Sequence, residues 1–259
     1  MNASGSRQSG LRLDELLVAR GEFASRSRAR DAIARGAVRV DGRPALKAGQ
    51  AVSQDASLTI DDPARRHVSR AALKLIAGLD QFELDPAGAL SLDIGASTGG
   101  FTQVLLERGA ARVIAIDVGH GQLDPSLQAD PRVTSIEGLN ARNLTVADLG
   151  GGRPGFIAPD FIVCDVSFIS LRLALPPALA LAAPGARGLF LVKPQFEAGR
   201  QAIGKGGLLR DSGLAPGIAG DLRTWLDAQP GWRALGLCPS PIAGGEGNRE
   251  FLLAGSKDR

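Results

Sequence analysis

The chain has 259 residues, of which 44% are hydrophobic, and its formal net charge is +3. A chain of this length can bury one large core and still form a smaller second unit, so we expect two domains. Its apolar runs are shorter than the about 18 residues of a membrane span, and its first residues lack the apolar segment of a signal peptide, so we expect a cytoplasmic protein with no membrane partner.

The positive charge is concentrated at the front of the chain. Residues 1–60 contain 10 lysines and arginines against 6 acidic residues, a net charge of +4, whereas residues 61–259 contain 20 against 21, a net charge of −1. Because phosphate contacts supply much of the affinity for nucleic acids, this asymmetry favours a polyanionic partner for the front segment. A solvated basic surface would give the same count.

The first elements along the chain are two predicted helices. Leu13, Leu16 and Leu17 recur at the i, i+3 and i+4 spacing of one helical face, and Gly21 is a suitable end. Ser25 is placed to cap a second helix with the sequence SRSRARDAIARG.

A short hairpin is predicted next, because the segment AVRVDGRPAL alternates valines around an Asp-Gly turn. After a disordered N-terminus at residues 1–10, residues 11–60 thus form a small α+β unit. This unit resembles the S4-like RNA-binding domain, whose pattern of RLD, SRSRA, IxxG and VxVxG it matches in order. The resemblance implies that RNA phosphates are contacted by Arg26, Arg28, Arg30 and Arg35. A solvated basic helix face is the alternative.

A linker is predicted at residues 61–68. The hydrophobic pattern lapses and the charge rises in DDPARRHVSR, so we place the domain boundary here. We include the basic pair of this linker, Arg65 and Arg66, among the expected RNA contacts.

Residues 69–259 have the pattern of an α/β domain. Seven strand-like runs alternate with helical patterns: ALSLDIG, ARVIAID, RVTSI, DFIVCD, GLFLVK, WRALGL and REFLLAG. That alternation predicts a mostly parallel sheet covered on both faces. Ligands of such folds bind beyond the carboxyl ends of the strands.

A nucleotide-type cofactor is predicted at the end of the first two strands. The first ends in the glycine-rich turn LDIGASTGGF, and the second ends in Asp117, whose carboxylate can accept hydrogen bonds from ribose hydroxyls. Ser97 stands where a dinucleotide fingerprint has its second glycine, which disfavours a pyrophosphate and favours S-adenosylmethionine. Asp93 could serve the ammonium group of that cofactor. Asn140 could contact the adenine or ribose, or could equally form a turn. The expected cofactor contacts are Asp93, Gly95, Ala96, Ser97, Thr98, Gly99, Gly100, Phe101, Asp117, Val118, Asn140 and Asp165.

Four charged residues invite a joint interpretation: Lys74, Asp165, Lys193 and Glu250. Three of them lie at strand ends, where a single charged residue is as readily a solvated boundary residue. The motifs around them, SRAALKL, DIGASTGGF, DVGHGQL, DVSFISL, LVKPQFE, GKGG and GNREF, resemble in this order the TlyA (hemolysin A) family of ribosomal RNA 2'-O-methyltransferases, over about residues 11–255.

The TlyA resemblance implies an FtsJ-like, Rossmann-like class I methyltransferase domain with a seven-stranded sheet. It also implies a catalytic tetrad of Lys74, Asp165, Lys193 and Glu250, and as partner the ribosomal RNA of the small subunit, the large subunit or both, methylated on a cytidine ribose. The nucleotide, the number of sites and the oligomeric state stay open.

The chemistry of 2'-O-methylation agrees with such a tetrad. A ribose 2'-hydroxyl is a poor nucleophile, whereas the methyl donor is already activated, so the protein must mainly orient and deprotonate the hydroxyl, and no metal is required. We predict that Lys193 is the base or the orienting group. Lys74 would lower its proton affinity while Asp165 and Glu250 would raise it, so either role remains.

Two features depart from the family pattern or stay ambiguous. His67 stands where the family linker usually has an aromatic residue, so domain coupling could differ. The glycine-rich segment EAGRQAIGKGGLLRDSG suits a mobile loop near substrate phosphates with Lys205 as its contact, or an ordinary surface loop.

Three other functions compete with this interpretation. They are an inactive RNA-binding assembly factor, a membrane-active hemolysin and a nicotinamide-dependent dehydrogenase. The full tetrad disfavours the first, the strand-length apolar segments disfavour the second, and Ser97 disfavours the third.

Overall fold

The computed structural model describes residues 10–152, 157–244 and 247–258. Contacts divide the chain into two compact units, Met1–Arg66 and His67–Arg259. This division falls within the segment 61–68. Of the N-terminus expected to be disordered, residues 1–9 lie outside the described residues.

The first unit is a small α+β fold. Its elements are β1 (Leu11–Arg12), α1 (Leu13–Ala19), α2 (Arg26–Ala34), β2 (Val38–Val40), β3 (Arg43–Pro44), β4 (Ala51–Val52) and β5 (Leu58–Ile60). The leucine stripe of α1 is buried in its core, and the Ser25 side chain caps α2 by accepting from the backbone N–H of Arg28. The predicted hairpin is the antiparallel pair β2–β3, joined by Asp41 and Gly42, which both have positive φ as a two-residue hairpin turn requires.

The second unit is an α/β fold around one large sheet. Its helices are α3 (Ala71–Gln81), α4 (Gly100–Glu107), α5 (Pro125–Gln128), α6 (Leu171–Ala174), α7 (Pro176–Leu181), α8 (Pro194–Glu197) and α9 (Ala215–Asp227). Its strands are β6 (Leu90–Ile94), β7 (Arg112–Ile116), β8 (Val133–Ile136), β9 (Phe161–Cys164), β10 (Arg187–Val192), β11 (Trp232–Pro239) and β12 (Phe251–Lys257). The order is β11-β12-β10-β9-β6-β7-β8, and β12 runs antiparallel to both of its neighbours. The predicted mostly parallel, seven-stranded sheet is therefore confirmed.

The chain order of the strands creates a crevice. From β6 the chain proceeds outward through β7 to β8, and then returns to β9 on the other side of β6. The crossover connections therefore diverge between β6 and β9, and in such sheets this point opens a ligand site beyond the carboxyl ends of the strands. Each face of the sheet carries its own apolar core, and the last residues of β6 and β9, Ile94 and Cys164, pack in one of them.

Among the helices of the described residues, none has the length and apolar character needed to cross a bilayer.

Candidate active site

The turn after β6 needs glycine for two different reasons. Gly95 has a φ of +82°, and a Cβ there would lie 2.8 Å from the backbone oxygen of Asp165. Gly99 has a φ of +93°, and a Cβ there would overlap the side chain of Leu127. The turn therefore combines left-handed backbone with close approach to neighbouring parts of the chain, and both features require glycine.

Asp117 is fixed at the end of β7 by backbone donors. Its two carboxylate oxygens accept hydrogen bonds from the N–H of Ser97 at 2.8 Å and of Gly119 at 2.7 Å. Ser97 itself has a positive φ of 46°. These bonds hold the carboxylate at the rim of a cavity of about 600 Å³ that Val118 and Asn140 also line. Asn140 accepts a hydrogen bond from the N–H of Arg142, so it forms a turn and also faces the cavity.

A second cavity of about 150 Å³ lies beside the first and is lined by Lys193. Both cavities are lined by Gly95, Ser97, Asp165 and Ser167. Of the expected cofactor contacts, those that line one or both cavities are Gly95, Ala96, Ser97, Thr98, Gly100, Phe101, Asp117, Val118, Asn140 and Asp165. Gly99 lines neither of these two cavities and shapes the turn.

Asp93 is not brought to these cavities. It is fully buried on β6, where it accepts a hydrogen bond from the Thr102 hydroxyl of α4 at 2.6 Å. Burial raises the pKa of Asp93 to about 7. The side chain therefore lies behind the glycine turn, and a direct contact with the cofactor's ammonium group stays a prediction.

Lys193 and Glu250 lie side by side at the edge of the sheet. β10 and β12 pair up to Val192 and Phe251, so Lys193 and Glu250 are the next residues of two neighbouring strands. Because side chains alternate along a strand and Lys193 keeps an extended backbone, both residues share the sheet face that α3 covers.

The four predicted catalytic residues form two ion pairs. Lys74 of α3 lies 2.5 Å from Glu250, and both residues are buried. Lys193 lies 2.6 Å from Asp165, and these side chains keep 11% and 15% of their surface exposed. Since Asp165 and Lys193 both line the smaller cavity, this second pair is the one open to a ligand.

Two residues at the cavities were missed by sequence reasoning. The Lys193 ammonium donates to the Ser167 hydroxyl at 2.8 Å, and Phe168 beside it is 91% exposed with a φ of +66°. Both belong to the motif DVSFISL, so their position just after a strand-ending aspartate was the available signal.

Several arginines of the first unit pair with carboxylates. Arg26 and Arg30 pair with the buried Asp14 at 3.1 and 2.8 Å, and Arg12, which sequence reasoning missed, pairs with it at 3.0 Å. Burial would raise the pKa of Asp14, but hydrogen bonds from Arg12, Arg30 and Arg26 lower it well below its usual value. The carboxylate thus stays ionised beneath three guanidinium groups that remain about half exposed.

The other expected RNA contacts lie elsewhere. Arg35 pairs with Asp62 at 2.7 Å and is mostly buried, while Arg65 pairs with Glu22 at 2.6 Å. Arg28 is half-buried, Arg66 is exposed, and Lys205 is exposed on a short turn of the second unit.

Comparison with known proteins identifies the family. Residues 67–257 match the FtsJ-like methyltransferases, and residues 11–57 match the S4 domain. The 16S/23S rRNA (cytidine-2'-O)-methyltransferase TlyA of Mycobacterium tuberculosis is 46% identical over 93% of this chain and 88% of that protein. The chain belongs to the TlyA family of methyltransferases.

Other TlyA-like proteins match over both units. Hemolysin A of Brachyspira hyodysenteriae is 37% identical over 93% of this chain and 98% of that protein. A solved structure named as a hemolysin, from Streptococcus thermophilus, has a TM-score of 0.72 at 38% identity and covers 97% of this chain and 90% of that one. The predicted fold, an S4 domain followed by an FtsJ-like methyltransferase domain, is confirmed, and membership of a methyltransferase family contradicts the dehydrogenase alternative.

Proposed function

We propose that this chain transfers a methyl group from S-adenosylmethionine to the 2'-oxygen of a cytidine ribose in ribosomal RNA. The observation that carries the proposal is the Lys193–Asp165 pair, 2.6 Å long, where the two cavities meet. The name of the M. tuberculosis relative supplies the substrate class, a cytidine 2'-oxygen in rRNA. A ribosomal substrate would place the working protein in the cytoplasm.

The cavities suit the proposed cofactor in shape and charge. The larger cavity is lined by two carboxylates, Asp117 and Asp165, and by one arginine, Arg142, and this excess of negative charge would favour a ligand with positive charge. A Cβ at Gly95 would collide with the backbone of Asp165, so glycine lets the turn pass close to the strand end that carries Asp165. Asp117 and Asn140 would hold the ribose and adenine, with the apolar Val118 beside them. When bound, S-adenosylmethionine supplies a methyl group already activated for transfer.

Lys193 can direct either a lone pair or a proton at the hydroxyl. A neutral amine has two N–H groups and one lone pair. The Lys193 nitrogen donates a hydrogen bond to the Ser167 hydroxyl and lies 2.6 Å from the Asp165 carboxylate. In the neutral amine, the remaining direction holds the lone pair, which would take the proton of the ribose 2'-hydroxyl. In the ammonium form it holds the third N–H, which would orient the 2'-oxygen. Both roles make Lys193 the central residue of the reaction, with an expected contribution of about 10²- to 10⁴-fold if it acts as a general base.

The other ion pair of the tetrad would stabilise the sheet next to Lys193. Lys74 and Glu250 are buried and neutralise each other beside the strand that carries Lys193. We infer that they stabilise the strand ends rather than touch the ribose.

The first unit supplies a basic surface for RNA. Arg12, Arg26 and Arg30 present three half-exposed guanidinium groups, and phosphate oxygens are their natural ligands. This surface would bind structured ribosomal RNA and bring it to the methyltransferase unit. We propose Arg28, Arg35, Arg65, Arg66 and Lys205 as further contacts.

The test is methyl transfer to ribosomal subunits. Purified protein and its Lys193→Ala variant are incubated with methyl-labelled S-adenosylmethionine and unmethylated small or large subunits, and the label is located by nuclease digestion. We expect label on a ribose 2'-oxygen with the native chain and a loss of at least about 100-fold in the variant, with cofactor affinity measured by calorimetry retained.

Three outcomes would change the conclusion. Cofactor binding without transfer to either subunit would favour the inactive RNA-binding factor. Failure to bind S-adenosylmethionine would refute the cofactor. Binding to liposomes in the absence of RNA would favour the hypothesis of a membrane-active hemolysin.

A further inference from the structure

The loop that follows β9 depends on side chains for its position. Within the described residues, the backbone groups of Ser167, Phe168 and Ile169 make no hydrogen bonds to other backbone groups. Phe168 also has a φ of +66°, which a residue other than glycine keeps only where its surroundings hold it. Yet this loop carries the hydroxyl that accepts a hydrogen bond from Lys193.

Glu197 ties the end of this loop to the segment that follows β10. One of its carboxylate oxygens accepts a hydrogen bond from the Ser170 hydroxyl at 2.5 Å, and the other accepts from the N–H of Leu171 at 2.7 Å. The Ser170 oxygen also accepts from the N–H of Arg172 at 3.1 Å, which caps α6. Both oxygens of Glu197 are therefore engaged at the start of α6.

Side-chain contacts between the segment after β9 and the segment after β10 continue beyond the paired strand residues. In the parallel pairing of β10 with β9, each paired residue of β10 lies opposite the β9 residue 26 positions earlier, and the last pair is Phe190 with Cys164. Three side-chain contacts follow it along the chain: Lys193 to Ser167, Phe196 to Phe168 with ring centroids 5.2 Å apart, and Glu197 to Leu171. Side-chain contacts therefore join the segment after β9 to α8 beyond the paired strand residues, and the Glu197 contact is the one farthest along both segments.

We propose that Glu197 is a positioning residue for methyl transfer. It holds the loop between β9 and α6 against the segment after β10, and it thereby keeps Ser167 hydrogen-bonded to Lys193. The proposal deepens the proposed function and rests on it for the identity of the reaction. Ser167 and Asp165 together set the direction of the Lys193 amine, so a loop that moves releases one of its two constraints. A displacement of about 1 Å in such a group costs on the order of 100-fold in rate.

Matched substitutions at Glu197 separate its hydrogen bonds from its charge. Glu197→Ala removes both bonds. Glu197→Gln can keep them, since its carbonyl can accept from Leu171 and its amide can donate to the Ser170 oxygen. We expect kcat on ribosomal subunits to fall about 10- to 100-fold in the alanine variant and less than about threefold in the glutamine variant.

Hydrogen exchange gives a readout that does not depend on the reaction. The N–H of Leu171 is bonded to Glu197 itself, and those of Arg172, Leu173 and Ala174 depend on Ser170. Exchange over Leu171–Ala174, measured by mass spectrometry on the full chain, should accelerate in Glu197→Ala and stay native in Glu197→Gln.

Several results would overturn the inference. These are native kcat in Glu197→Ala, unchanged exchange over Leu171–Ala174, or equal losses in the alanine and glutamine variants, which would assign the effect to charge. If Glu197→Ala does not fold, Glu197→Asp replaces it, because its shorter side chain cannot reach both donors. If the native chain methylates neither subunit, the proposed function fails. The exchange measurement alone then decides whether Glu197 holds the start of α6.

Discussion

Removing Lys74 should destabilise the methyltransferase unit strongly, because its partner is buried. Lys74 and Glu250 are only 5% and 4% exposed, and their charged atoms lie 2.5 Å apart. Lys74→Met removes the ammonium group but keeps an unbranched apolar chain, so the main effect is a buried Glu250 carboxylate without its counter-charge. Breaking a buried pair in this way costs about 3–5 kcal/mol.

This cost should appear as a large fall in the melting temperature. For a unit of this size each kcal/mol corresponds to about 2–4 °C, so the expected decrease is roughly 6–20 °C in a calorimetric scan near neutral pH. Lys193→Met is the matched control. Its partner Asp165 keeps 15% of its side-chain surface exposed and faces a cavity, so water can replace the lost contact and the decrease should be much smaller.

The double variant Lys74→Met with Glu250→Gln tests the reason for the loss. It removes both charges, so it should recover most of the stability that Lys74→Met loses. A melting temperature of Lys74→Met within about 2 °C of the native value, or a larger loss in Lys193→Met, would refute the assignment of the buried and the open pair.

Two further predictions concern pH. Burial raises the pKa of Asp93 to about 7, against 3.8 for the ordinary group. Between these pH values the folded chain therefore holds a proton on Asp93 that the unfolded chain has lost. The contribution of Asp93 to native stability consequently falls as the pH rises from about 4 to about 7. Asp93→Asn should flatten this dependence, and identical changes in melting temperature between about pH 5 and about pH 8 in both proteins would contradict it. Hydrogen bonds from arginines lower the pKa of Asp14, so its stabilisation is present above about pH 4 and is lost as the pH falls. The Asp14→Asn variant should therefore have a lower melting temperature than the native chain at neutral pH, and this difference should shrink on acidification. A difference in melting temperature that does not depend on pH, measured by circular dichroism, would argue against the arginine cluster.

Much of the fold could be predicted because it depends on local patterns. The leucine stripe of α1, the Ser25 cap and the Asp-Gly turn each act within a few residues, and all three are present in the structure. The seven runs became seven strands, and a central strand such as β9, FIVC, is apolar throughout because both faces of the sheet are covered there. The ends of parallel strands meet at one edge, so the sequence also indicated where Asp117, Asp165 and Lys193 would gather.

The sequence itself therefore determined the element types, the two-unit organisation and the residues at the carboxyl edge of the sheet. Helical period, strand alternation and turn chemistry depend only on residues that are close together in the chain. Only the tertiary structure decided how those residues pair. It separates the tetrad into a buried pair at Lys74 and an open pair at Lys193, and it places Asp93 behind the glycine turn. It also reveals partners from distant segments, such as Asp14 beneath the arginines and Glu197 at the start of α6. Such contacts depend on strand order, register and the direction in which each side chain leaves the backbone, and these follow from packing of the whole chain rather than from any one segment.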